Sequence, residues 1–419
     1  MASPRVAEAL GRARTASPAI AEYQQLIPNI KSLSTPSSLA DDFNAVFDAI
    51  LADGLGVIHT RTLLNDLIAS LRTVENRDVQ IDVGLHALRV IPTAPQSSSL
   101  VEQSAALREL IAGAYEANED FLAAAKVLAE IPLDSSQRRV PDADKAAVWI
   151  RIVRNYLEVD DSTSAETYLN KLKNVMHTVD DAELNLHFRL SAARIQDSNR
   201  QFLQAAKSYH DISFSPAIAE EERLHTLAMA IKCAVLAPAG PLRSRTLGQL
   251  YKDERSAGLE EHGILEKMFF DRLLSAAEVE KFAQGLAPHQ LATTSDGSTV
   301  LARAVVEHNL LSASRLYSNI GFDELGLLLG LDGDKAEDTT AKMIEQGRLA
   351  GSIDQIDRII WFEGGEASGE KGSGRAEVPV GKEMRRWDSN VQALAEDLER
   401  LTDALQAEFP EFVAAQIAV

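Results

Sequence analysis

The sequence predicts a mostly α-helical protein, in which a right-handed solenoid of TPR-like or HEAT-like helical repeats is followed by a winged helix and a C-terminal helix. Three observations support this fold class. Apolar residues recur at helical spacing as far as residue 290, the stretch 344–363 changes from a helix to a small hairpin, and a seam of leucines lies near the C-terminus.

Composition and charge narrow the function classes. The chain has 419 residues, a formal net charge of −20 and one cysteine, Cys233. So acidic a surface repels nucleic-acid backbones unless a local basic patch offsets it. A lone thiol in an apolar helix indicates a packing residue and a reducing compartment. The sequence shows neither a signal-peptide core nor an 18-residue apolar run, so we expect a cytoplasmic and nuclear protein.

The N-terminal helices carry one-sided apolar faces and a weak internal repeat. Leu63, Leu64, Leu67, Ile68 and Leu71 form one such face, built on strong helix formers. The segments FLAAAKVL, STSAETYL and FLQAAKSY align on Ala124, Ala165 and Ala205, at steps of 41 and 40 residues. Each unit reads as helix, turn, helix, and such pairs must stack to bury their apolar faces. Chance similarity between Ala-rich helices is the alternative interpretation.

The winged helix is predicted from the order of its elements. We expect a long helix at 298–320, a short helix at 321–331 and a third helix at 332–349 that buries Ala336, Met343 and Leu349. A hairpin at 351–363 follows. An open sheet edge can pair with a neighbouring sheet, and the residues predicted to bind a partner at this edge are Ile353, Ile356, Ile359, Ile360, Trp361 and Phe362. A purely intramolecular role for the hairpin is the alternative.

Charge argues against DNA binding by this winged helix. Between 320 and 363 there are ten acidic residues and four basic ones, Lys335, Lys342, Arg348 and Arg358. A recognition helix in the major groove needs Arg or Lys against the phosphates, whereas this one begins DGDKAED.

The C-terminal helix carries a heptad seam. Its members follow at steps of 4, 3, 4, 3 and 4 residues, and they are Trp387, Val391, Leu394, Leu398, Leu401 and Leu405. A Gly-rich stretch, 364–382, precedes the helix and has the composition of a flexible linker. We therefore expect the seam to join a helical bundle with other subunits. Packing back onto its own solenoid is the alternative.

Motifs of catalysis and metal binding are missing from the sequence. The nine histidines include no HxH or HExxH pair, and there is no GxSxG elbow and no cysteine cluster. His308 lies on an apolar helix face, as a packing histidine would, and the pairs Asp160–Asp161 and Asp180–Asp181 lie at predicted turns that cap helices. We expect no catalytic residue, cofactor or metal.

Four segments resemble the PCI domain family, whose members combine helical repeats with a winged helix. They are RSRTLGQLYKDERS (243–256), HGILEKMFFDR (262–272), APHQLATTSDGSTVLARAVVEHNLLSASRLY (287–317) and SIDQIDRIIWFE (352–363). The resemblance extends from about 104 to 363 and is greatest to PCI subunits of the COP9 signalosome. It divides the chain into an N-terminal arm (1–200), a PCI domain (201–363, with its winged helix from 298), the linker (364–382) and a bundle helix (383–419).

The resemblance implies a non-catalytic scaffold. Its partners would be other PCI subunits and the isopeptidase-bearing pair of the COP9 signalosome, and its substrate complex would be a cullin-RING ubiquitin ligase, from whose cullin a ubiquitin-like modifier is removed. No nucleic acid and no membrane are implied. A PCI subunit of the proteasome lid is the second interpretation, and a nucleic-acid-binding winged-helix protein is an alternative of another class.

Overall fold

The structure is a computed structural model that describes residues 3–15, 19–52, 55–94, 97–133, 140–293, 297–363 and 381–412. It divides into two compact units. The first comprises the described residues up to Arg200 together with Ser215–Ala217, and the second comprises Gln201–Phe214 and the described residues from Ile218 onward. The predicted linker lies almost wholly outside the described residues.

The first unit is helical. Its described α-helices are α1 (Pro4–Thr15), α2 (Ala19–Leu33), α3 (Leu39–Ala52), α4 (Val57–Arg72), α5 (Arg77–Val90), α6 (Val101–Ala117), α7 (Phe121–Ala129), α8 (Asp142–Glu158), α9 (Ser162–Lys173) and α10 (Ala182–Ser198). Short 3-10 turns lie at Ile91–Thr93, Ser97–Ser99 and Met176–Thr178. The five-residue face predicted on α4 is buried throughout, as its spacing indicated.

The internal repeat is visible in the backbone as well as in the side chains. Ala124, Ala165 and Ala205 are fully buried. The turn before each of these helices contains one residue in the left-handed region, with φ of 62° at Glu119, 59° at Asp160 and 59° at Arg200. These turns follow each other at the same steps of 41 and 40 residues as the alanines. The recurring turn favours a true structural repeat over chance similarity.

The second unit begins with five described α-helices: α11 (Phe202–Ser213), α12 (Glu220–Leu236), α13 (Pro241–Tyr251), α14 (His262–Phe269) and α15 (Ala276–Ala283). A 3-10 turn lies at Glu254–Gly258. α12 packs against α11 along its length, and it buries Cys233 completely. The cysteine is therefore the packing residue that the sequence indicated.

The winged helix follows as α16 (Val300–Leu316), β1 (Asn319–Gly321), α17 (Phe322–Leu329), α18 (Gly333–Glu345), β2 (Gly351–Asp354) and β3 (Ile359–Phe362). Its three strands are antiparallel in the order β1-β3-β2. The helices and one face of the sheet enclose a core that includes Phe322, Leu325 and Ile360. Ala336 and Met343 are buried on α18, as predicted, and Leu349 is also buried but lies past the end of this helix.

The structure corrects two boundaries in this region. The helix predicted at 332–349 ends at Glu345. The helix predicted at 298–320 ends at Leu316, and Tyr317 is already extended, with φ −116° and ψ 140°. Ile320 then pairs with Ile360 and packs against the core of the winged helix, which a continued helix would not allow. The last described helix is α19 (Gly381–Glu408).

Candidate interaction surfaces

The sheet places the predicted edge residues differently from the sequence-based expectation. β3, which contains Ile359–Phe362, is the central strand, so its backbone is bonded to a strand on each side. Ile360 and Phe362 point into the core, where they are 0% and 8% exposed. These two side chains therefore hold the winged helix together and do not face a partner. The free edges belong to β1 and β2.

The outer backbone of β2 is the candidate pairing edge. Glu363 N donates to Ala350 O at 3.2 Å, and antiparallel pairs alternate, so Ser352 and Asp354 also bond to β3. The N–H and C=O groups of Gly351 and Ile353 consequently point away from the sheet. No strand within the described ranges pairs with this side of β2.

The remaining predicted side chains divide between core and solvent. Ile353 is partly buried against the core of the winged helix, across from Ile360. Ile356, in the turn after β2, is 93% exposed, and Trp361 is 48% exposed on the outer face of the sheet. Exposed apolar side chains next to an open edge are typical of a protein interface.

Arg358, in the turn between β2 and β3, binds this hairpin to the helices of the winged helix. Arg358 Nη2 lies 3.2 Å from Asp323 Oδ1 and 3.2 Å from Asp334 Oδ1, and its guanidinium lies over the Phe322 ring at 5.2 Å. Arg348 is likewise paired inside the domain, and Lys335 lies 3.9 Å from Asp332. Three of the four basic residues of this region thus face acids of the same domain, which does not suit phosphate binding.

A buried ion pair fixes the winged helix within the second unit. Glu307 on α16 accepts two hydrogen bonds from Arg348, at 2.5 and 3.0 Å, and one from Ala239 N at 3.1 Å. Arg303 Nε lies 3.1 Å away. Burial alone would raise the pKa of Glu307, but the hydrogen bonds and charge of Arg348 outweigh it, and the pKa lies below its ordinary value. Local sequence patterns do not indicate this pair, because its members are 41 residues apart.

His308 is a second buried polar residue on α16. Its Nε2 lies 2.9 Å from Arg272 O, and its Nδ1 lies 3.4 Å from Arg243 Nη2. Burial and the charge of Arg243 lower the pKa of His308 to about 3. A neutral ring that donates from Nε2 and accepts at Nδ1 satisfies both neighbours, so His308 is the packing histidine that the sequence indicated.

The seam of α19 is exposed. Trp387, Leu394, Leu398 and Leu401 are at least 60% exposed, and Val391 is 45% exposed, whereas Leu405 is intermediate. Phe409 and Phe412 lie just beyond the end of α19 at Glu408, and both are more than half exposed. Phe412 lies seven residues after Leu405, the length of one heptad, so the spacing could have identified it, whereas Phe409 lies outside the alternation of four and three. The exposed seam residues of α19 make an apolar stripe that suits a partner helix.

Potential metal ligands do not cluster in the described part of the chain. It contains no group of three His, Cys, Asp or Glu residues suited to a metal ion. Asp161 and Asp181 accept hydrogen bonds from backbone N–H groups at the starts of α9 and α10, so they are the helix caps that the sequence indicated. No described helix is long and apolar enough to span a bilayer.

Comparisons with known proteins bear on both parts of the chain. The family described as PSMD12/CSN4, N-terminal, matches residues 9–221, and the PCI domain matches residues 274–363. The COP9 signalosome complex subunit 4 of Neurospora crassa is 66% identical, over 95% of this chain and 94% of that protein. The chain belongs to the COP9 signalosome subunit 4 family.

More distant relatives of the same name support the membership. The COP9 signalosome complex subunit 4 of Emericella nidulans is 50% identical over 90% of this chain and 91% of its own length. That of Arabidopsis thaliana is 37% identical over 94% of this chain and 98% of its own length. The match to the PCI domain ends at residue 363, directly after β3. The winged helix with its open edge is thus the last part of the PCI domain.

Proposed function

We propose that this chain is a non-catalytic scaffold subunit of the COP9 signalosome. The observation that carries the proposal is the pair of uncovered surfaces in the second unit, the outer edge of β2 and the apolar stripe of α19. An unpaired strand edge and an exposed heptad seam are surfaces that an isolated protein avoids, because both promote association. Each has a protein partner of a definite kind: a strand for the edge, and helices for the seam.

In this proposal the edge of β2 pairs with another PCI subunit, and α19 joins a bundle with helices of several subunits. The helical repeats of the N-terminal arm supply an extended surface toward a cullin-RING ubiquitin ligase. The chain thereby supports removal of a ubiquitin-like modifier from cullins by an isopeptidase-bearing pair of subunits, in the cytoplasm and the nucleus. It holds the other proteins in position for that reaction, and none of its own residues takes part in the chemistry.

Two other functions fit the structure less well. A winged helix that binds nucleic acid needs free basic residues, whereas Arg348 and Arg358 here pair with acids of their own domain. A PCI subunit of the proteasome lid would share the architecture of helical repeats and a winged helix. The relatives that match nearly the whole chain carry the signalosome name, which favours the first assignment.

A substitution at Ile353 tests the pairing of the edge. Because the N–H of Ile353 points away from β3, Ile353→Pro removes a donor from the outer edge and leaves the internal ladder in place. Ile353→Ala is the matched control, since it truncates the side chain but keeps the N–H. We expect co-purification of neighbouring PCI subunits to fall further with proline than with alanine. Equal retention in both variants would exclude pairing at β2.

A further inference from the structure

A groove follows the free side of β2. α18 forms one wall through Glu337 and Ala341, and the strand and its turn form the other. The lining is completed by Ser352, Ile353, Asp354, Gln355, Ile356 and Trp361. The groove therefore occupies the space that an added strand would fill.

The alternation of side chains on β2 determines what such a strand must carry. Ile353 shares a face with Ile360 and packs toward the core of the winged helix, whereas Ser352 and Asp354 share the opposite face with Trp361 and Ile359. A residue opposite Ile353 would therefore lie toward α18, above Ala341. The short side chain of Ala341 leaves room there for a branched aliphatic residue, and the exposed Ile356 extends the apolar surface.

Acidic groups lie along the same groove. Glu337 and Asp354 are its charged lining residues, and no Lys, Arg or His contributes to it. Within the described ranges, no basic side chain forms an ion pair with either acid. Both are held in place: Asp354 Oδ1 accepts from Ile356 N at 3.0 Å and from Asp357 N at 3.2 Å, and Glu337 accepts from the Gln355 amide. Fixed negative charge on a binding groove selects a cationic ligand.

We propose that this groove binds an extended segment of a neighbouring protein subunit in which a large aliphatic residue lies opposite Ile353 and an adjacent Lys or Arg lies opposite Asp354. The inference rests on the proposed pairing of β2 and adds the side-chain chemistry of the partner. Hydrogen bonds to the backbone of Gly351 and Ile353 would hold a partner strand of any sequence. The side chains of the two groove walls select which partner sequence binds. Opposite charges placed across neighbouring strands stabilise their register.

Cross-linking identifies the segment directly. Ser352 is exposed on the outer face of the sheet, and Cys233 is buried, so Ser352→Cys creates an accessible thiol beside the groove. The thiol is labelled with a maleimide–benzophenone in the assembled complex, irradiated, and mapped by mass spectrometry. We expect a cross-link to an extended segment with adjacent aliphatic and basic residues. A segment that lacks the basic residue overturns this inference alone, whereas an assembled complex without any cross-link at this position overturns pairing of β2 as well.

A charge-matched pair of variants tests the selection. Asp354→Asn with Glu337→Gln keeps the hydrogen-bond acceptors of the turn and removes two charges from the groove. Asp338→Asn with Glu345→Gln removes two charges from exposed positions of α18 that do not line it. Exposed ion pairs change affinity modestly, so we expect roughly three- to tenfold weaker binding of the cross-linked neighbour at low salt for the groove variant only. Equal affinities for the two variants would contradict the inference.

A steric variant tests the aliphatic half of the inference independently of charge. Ala341→Trp fills the groove from its α18 wall. Lys342→Trp places the same side chain on the neighbouring exposed position of α18, which does not line the groove. We expect the first variant to weaken binding of the neighbour at low and at high salt alike, and the second to leave it unchanged. Unchanged binding by Ala341→Trp would show that no partner side chain enters the groove.

Discussion

Glu307 and Arg348 show how single residues set the geometry of the interaction surfaces. They join α16 to the loop after α18, just before β2, and so connect the helical part of the second unit to the strand with the open edge. Glu307 is nearly inaccessible at its side chain and Arg348 is only 15% exposed. A buried charge that loses its partner is strongly destabilising, whereas losing both charges together costs much less.

Arg348→Met should therefore destabilise the winged helix by about 2–4 kcal/mol, because Glu307 stays buried with only Arg303 and Ala239 N as partners. Hydrogen exchange of amides in α16 and α18, followed by mass spectrometry, measures the free energy of local opening. The double variant with Glu307→Leu should recover most of the loss. If the double variant lost as much stability as the two single variants together, the two residues would not act as a pair. Arg358→Met, on the exposed wing, is the control and should lose far less.

His308 should make the stability of the second unit depend on pH. Its pKa is lowered to about 3, so between that value and the unfolded value near 6.5 the unfolded chain binds a proton that the folded chain does not. Stability is then fully present above about pH 6.5 and declines as the pH falls. From pH 7.5 to 5.5 this histidine should remove about 1 kcal/mol of the free energy of unfolding.

A comparison of the wild type with His308→Gln isolates that effect from the other histidines. Glutamine keeps a donor for Arg272 O and an acceptor for Arg243, but it does not titrate. Thermal unfolding followed between pH 7.5 and 5.5 should show a shallower pH dependence in the variant. Parallel pH curves for the two proteins would mean that His308 takes up its proton alike in the folded and the unfolded chain, and would contradict the lowered pKa.

At the scale of elements, α19 should assemble through its seam. Changing Leu394, Leu398 and Leu401 to glutamine keeps helix propensity and removes the apolar stripe. We expect the variant to lose the partner helices and to be retrieved without the rest of the complex. The matched control changes Glu396, Glu399 and Asp403, on the opposite face, to their amides. Assembly that survives the leucine changes would show that the seam is not an interface.

The elements also show where sequence reasoning succeeds and where it stops. The face on α4 is predicted residue by residue, because burial follows directly from helical spacing. The heptad spacing also predicts the residues of the α19 seam, and its packing against partner helices stays a prediction. The arrangement of the sheet is not predicted. Asn319–Gly321 is too short to indicate a strand, so the sequence predicts both strands of the hairpin at the edge, whereas β3 is central. The order of strands depends on long-range pairing, which local patterns do not encode.

At the scale of the whole molecule, composition and architecture agree on a protein whose function is interaction. The net charge of −20 and the internal pairing of basic residues in the winged helix disfavour contact with nucleic-acid phosphates. The helical repeats, the winged helix and the C-terminal helix were all predicted from the sequence. The buried pair Glu307–Arg348 and the groove beside α18 were not, since each brings together residues that are distant in the chain.

The central claim is that the edge of β2 and the seam of α19 join this chain to the other subunits of the signalosome. The measurement that tests it most directly is quantitative mass spectrometry of the proteins that co-purify with the tagged full-length chain from cells that naturally contain it. The wild type is compared with a variant that combines Ile353→Pro with the three glutamines in the seam. The account predicts that the wild type retrieves signalosome subunits and that the variant is recovered as a folded chain without them. A variant that retrieves the same subunits as the wild type, or a wild type that retrieves the proteasome lid, would contradict it.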